Sequence, residues 1–118
     1  MRFRHELIRA LVRHFAERAG YEGRIRIFTR REGFDRLCRG RKAEPLTSGE
    51  RRSFAITLRG RVPAVWVAPE HHRNIGELAN TAAHEAVHLV DTAISCEGRA
   101  KPEFDRRVRA LLRGGTFR

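Results

Sequence analysis

The chain has 118 residues, 41% of them hydrophobic, with 25 Lys and Arg against 14 Asp and Glu for a net charge of +11. That length leaves room for one core rather than two and predicts a single domain over residues 1–118. The basic excess favours a polyanionic or acidic partner, and no apolar run approaches the ~20 residues that cross a bilayer.

The charge is almost all arginine, with only Lys42 and Lys101 as lysines. The two cysteines, Cys38 and Cys96, lack any Cys-x-x-Cys spacing, which excludes a cysteine-type structural zinc site and predicts free thiols. Arg9 and Arg13 break the apolar run at the N-terminus, unlike a signal peptide, so a cytoplasmic protein is the expectation.

Residues 3–19 repeat Phe3, Leu7, Ile8, Leu11, Val12 and Phe15 at helical spacing, with Gly20 as a stop. Residues 24–30 alternate around Ile25 and Ile27 and predict a half-buried strand. Residues 31–52 show little periodicity and read as a long loop with a short helical turn near 35–38. Residues 53–59 alternate again, burying Phe54, Ile56 and Leu58. Residues 64–68 form a third strand, with Val65 and Val67 on one face and Trp66 on the other. Pro63 and Pro69 flank it, which suits an edge position.

Residues 75–95 are cleanly amphipathic at about 100° per residue. Ile75, Ala79, Ala82, Ala86, Val90 and Ala93 make the apolar side. His84 and His88 lie at the centre of the polar stripe, flanked by Asn80, Thr81 and Asp91. Pro102 then suits the first turn of a last helix, whose apolar stripe is Phe104, Val108, Leu111 and Leu112 and which Gly114 and Gly115 end.

Residues 84–88 read His-Glu-Ala-Val-His. Side chains four apart on a helix stand one above the other, so two imidazoles so placed reach one zinc ion at about 2.0–2.1 Å. Glu85, beside that pair, is placed to take a proton from an attacking water as general base. A catalytic zinc takes three protein ligands and leaves one position open. No histidine follows His88, so the third ligand is a downstream carboxylate, Cys96, or a residue upstream. Among Asp91, Glu97, Glu103 and Asp105, Glu103 is best placed, in the first turn of the next helix; Asp91 suits a role orienting a ligand. An oxyanion donor or substrate contact has candidates in Tyr21, His71 and His72.

The run His84-Glu85-x-x-His88 followed by Glu103 resembles the gluzincin class of zinc metallopeptidases. Glu103-x-x-Arg106-Arg107-x-x-Ala110 is similar in part to the ligand helix of HtpX-like members, with Arg106 and Arg107 where that helix has Ala and Asp. Size and layout are similar to minimal gluzincins and the ImmA/IrrE group. The resemblance covers residues 80–110. It implies a small α+β zincin-like domain: an N-terminal helix, a three-stranded sheet with an exposed edge strand, the active-site helix and a C-terminal helix. It implies one zinc per chain and hydrolysis of a protein or peptide substrate.

Two other readings compete. Arg30-Arg31, 39–42 and Arg51-Arg52 are basic clusters that fit a nucleic-acid-binding module, although no aromatic residues interleave with them and no recognition motif is present. The other is a catalytically inactive or self-inhibited zincin domain, in which the tail after Gly114-Gly115, ending near Phe117, would fold into the cleft.

Overall fold

The computed structural model describes residues 3–40, 55–58, 61–91 and 94–114. Among these, α1 is His5–Arg18, β1 Arg26–Phe28, α2 Arg31–Gly40, β2 Ala55–Leu58, β3 Ala64–Val67, α3 Ile75–Val90 and α4 Lys101–Leu112. Short 3-10 turns precede α3 (Pro69–His71) and α4 (Gly98–Ala100). The class is α+β, with a three-stranded mixed sheet in the order β1-β3-β2. No helix among the described residues is long and apolar enough to cross a membrane.

Strand β3 is parallel to β1, with Ile27 opposite Val65, and antiparallel to β2, with Thr57 opposite Val65. All four of its residues are buried. The edge position expected for 64–68 is therefore wrong: β3 is the central strand, and β1 and β2 lie on either side of it. The flanking prolines misled because both fall just outside the paired residues. Neither removes a ladder hydrogen bond, and the Pro63 carbonyl even accepts from Arg26 N at 2.9 Å.

Alternation along β3 sends its side chains into two cores. Val65 and Val67 join Ile8, Val12 and Phe15 of α1, Leu78, Ala82, Ala86 and Val87 of α3, and Phe104, Val108 and Leu111 of α4. Ala64, Trp66 and Ala68 face Phe34 and Cys38 of α2, with Phe28, Ile56 and Leu58 around them. Three helices thus cover one face of the sheet and α2 covers the other.

Of the stretch 31–52, expected to be a loop with a short helical turn near 35–38, residues 41–52 lie outside the described residues and 31–40 form helix α2. Phe34, Leu37 and Cys38 are its apolar stripe, spaced three and four apart. The Phe34 ring lies 6.3 Å from Trp66 and 5.9 Å from Phe28. Arg31, in the first turn of α2, places its guanidinium 4.6 Å from the Trp66 ring and its Nε 3.0 Å from Asp35. The expected basic stretch 41–42 and Arg51-Arg52, with Phe54 and Phe117, lies outside the described residues.

Helix α3 starts where the Asn74 side chain accepts from Glu77 N at 2.9 Å, satisfying one of the free amides of the first turn. It ends at Val90, short of the expected Ser95, with Asp91 as its C-cap. Asp91 accepts from Arg107 of α4, and so ties the two helices together at the end where the candidate site lies.

Candidate metal centre

The small residues of the α3 apolar face, Ala82, Ala83 and Ala86, are fully or almost fully buried. They seat the helix on the core and leave its polar stripe turned toward β2 and the segment before α4. His84 and His88 lie on that stripe one turn apart, their Nε2 atoms separated by 3.2 Å. Cys96 comes from the segment between α3 and α4. One ligand atom from each of His84, His88 and Cys96 lies within 4.8 Å of the others.

A tetrahedral zinc with Zn–N near 2.05 Å sets its two nitrogens about 3.3 Å apart. The observed imidazole separation matches that spacing. A nitrogen and a thiolate sulfur on the same ion stand about 3.6 Å apart, so Cys96 needs a shift of about 1 Å or less. Two imidazoles and a thiol are borderline-soft donors, suited to zinc and poorly suited to magnesium or calcium. The donor set therefore fits zinc.

These residues line a pocket of about 600 Å³ whose opposite wall is β2, Ala55 through Leu58. Glu85 lines it as well and is 3% exposed. Burial pushes its carboxyl up to about 8, opposed by the hydrogen bond that Thr57 Oγ1 donates to Oε2 at 3.4 Å. Burial also lowers the His84 pKa, against a raising effect of Asp105, and raises that of Cys96 with help from Glu97.

Phe104 is fully buried and packs against both imidazoles, its ring centre 4.6 Å from that of His84 and 4.7 Å from that of His88. This is where the sequence placed a carboxylate. Neighbours on a helix point about 100° apart, so burying Phe104 turns Glu103 outward. The Glu103 carboxylate accepts from Arg106 at 2.7 and 2.5 Å and from Arg107 at 3.2 Å. Those guanidiniums hold it at about 2. Glu103 is thus outside the group of ligand atoms that lie together among the described residues, which is His84, His88 and Cys96. Asp105 pairs with Lys101 at 2.7 Å, and Asp91 is engaged by Arg107.

The three residues considered as oxyanion or substrate contacts stand elsewhere. His72 is buried, its Nδ1 2.7 Å from the Ala68 carbonyl and its Nε2 2.8 Å from Thr81 Oγ1, and it fastens the 3-10 turn to α3. His71 is exposed beside Glu70 and Arg73, on a different hollow. Tyr21 follows α1 and donates to the Arg24 carbonyl at 2.9 Å. Sequence reasoning missed Thr57 and Phe104. The one available signal was the hydroxyl of Thr57 between the apolar Ile56 and Leu58, on the face of the strand opposite to both.

Comparison with known protein families, with curated proteins and with solved structures returned no match.

Proposed function

We propose that the chain is a zinc-dependent peptidase that holds one zinc ion through His84, His88 and Cys96 and uses Glu85 as general base. The observation that carries this reading is the convergence on one pocket of two imidazole nitrogens 3.2 Å apart, a thiol within 4.8 Å of both, and a buried carboxyl from the same helix. Three donors gather among the described residues, which leaves the fourth position of a tetrahedral ion for substrate or water, the arrangement of a catalytic rather than a structural zinc.

When bound, the metal supplies Lewis-acid polarisation of the scissile carbonyl and lowers the pKa of water at the site. Glu85 takes the proton as water oxygen bonds to the carbonyl carbon. It returns that proton to the nitrogen as the C–N bond breaks, so water is consumed and an acid and an amine leave. Thr57 fixes the carboxyl orientation through its hydroxyl. Phe104 packs its buried ring on both imidazoles and keeps that side of the pair apolar, which strengthens the charge interactions there. The choice of a peptide over another acyl substrate rests on the His-Glu-x-x-His resemblance.

Glu85→Gln preserves shape and removes the base. Expected are one zinc per chain by mass spectrometry of metals in both proteins, and a loss of about 10²–10⁴-fold in hydrolysis of a quenched protein substrate. Unchanged hydrolysis in Glu85→Gln, or no zinc taken up by the parent chain, would overturn the reading.

A further inference from the structure

At the β1 side of the sheet, a hollow of about 720 Å³ runs between α1, β1 and α2. Arg9, Arg13, Arg26, Arg30 and Arg36 line it, against Glu6 and Glu32. A second hollow of about 1010 Å³ shares Arg13, Ile25 and Arg26 with it and adds Arg24 and Tyr21, against Glu17 and Glu22. The shared residues make the two a single channel, far larger than one small anion needs.

All six arginines are exposed. None forms an ion pair with another described residue, whereas Arg73, Lys101, Arg106 and Arg107 on the α3–α4 side each hold a carboxylate. At its far end the channel meets a smaller hollow lined by His5, Thr29, Arg30 and Arg31, against Glu70 and Pro69. There Arg31 Nη2 is buried with no hydrogen-bond partner among the described residues.

We propose that this channel binds the phosphodiester backbone of a single-stranded nucleic acid. Guanidinium forks match phosphate oxygens in shape and charge. Arg9 and Arg13 stand one helical turn, about 6 Å, apart and present successive forks to one backbone. Half-buried Tyr21 and Phe28 lie on the channel floor, and Arg26 covers Phe28 at 5.3 Å. Unpaired bases stack on such ring and guanidinium faces, which a duplex keeps hidden. An acidic peptide adding to the sheet would find only three residues of β1 to pair with, about 10 Å of strand.

The test is fluorescence anisotropy of a labelled oligothymidylate with the full chain, at salt concentrations from about 50 to 200 mM. Arg9→Gln, Arg13→Gln, Arg30→Gln and Arg36→Gln combined should weaken binding by tenfold or more and reduce the slope of log K against log salt by about 2 to 3. A control carrying the same loss of charge, Arg73→Gln, Arg99→Gln, Arg109→Gln and Arg113→Gln, should bind within about twofold of the parent, with far-ultraviolet circular dichroism verifying the fold of both. Equal weakening in the two variants, no binding by the parent chain, or a preference for duplex or for polyglutamate at equal salt would overturn the proposal.

Discussion

The two outer strands of one small sheet border opposite kinds of surface. Beside β2, two histidines, a cysteine and a buried carboxyl are drawn together against an apolar wall, and the nearby charges are neutralised in pairs. Beside β1, six exposed arginines, Arg9, Arg13, Arg24, Arg26, Arg30 and Arg36, line an open channel without an ion pair to another described residue. The difference teaches how each is encoded. Three of the four groups beside β2 lie within five residues on one helix, so local spacing builds most of the site. The channel draws on α1, β1 and α2, whose arginines meet only through the fold.

The most disruptive way to break this contrast is to remove what both sides share. Trp66→Ala empties the centre of the α2 face, and a loss of about 3–5 kcal/mol is expected in denaturant unfolding. Zinc uptake and oligonucleotide binding should then fail together at the same denaturant concentration; separate midpoints would show that the two edges do not depend on one folded unit.

A sharper cut lies within the metal side alone. Cys96→Ser is expected to weaken zinc by more than about a hundredfold, above the 10–100-fold typical of a lost outer partner. Glu103→Gln should leave zinc affinity within about twofold, because its carboxylate is committed to Arg106 and Arg107. Competition with a colorimetric chelator measures both, and a reversed order would restore the carboxylate as third ligand.

The smallest effect belongs to Thr57→Val, which keeps the shape of β2 and deletes the hydroxyl that meets Glu85. A drop of about tenfold in kcat with zinc content unchanged is expected, at the lower end of the cost of a lost outer partner. No change in kcat would remove Thr57 from the positioning of the base.

Much of the scaffold was legible because burial follows helical spacing. Ile8, Val12 and Phe15, and later Phe104, Val108 and Leu111, read as stripes and are stripes. His84 and His88 read as neighbours for the same geometric reason. Helix α2 was legible only as a short turn near 35–38 because Arg and Gly are half of it, and its stripe of Phe34, Leu37 and Cys38 acquires meaning only against Trp66. The central place of β3 was hidden because strand order is a tertiary property; Pro63 and Pro69 carry the same signal whether one partner or two lie beyond them. The third donor turned on which of two adjacent residues goes inward. Sequence distance favoured Glu103, but an aromatic ring gains more from the interior than a carboxylate does, and burying Phe104 turns Glu103 away from the two histidines.

Strand β3 has a consequence for signalling. With every side chain packed into one core or the other, it has no second arrangement to adopt, and coupling between distant sites requires an element with two. On the two proposals above, saturating the arginine channel should leave the dissociation constant for zinc unaltered, since β3 offers no alternative arrangement that would carry a change from one edge of the sheet to the other.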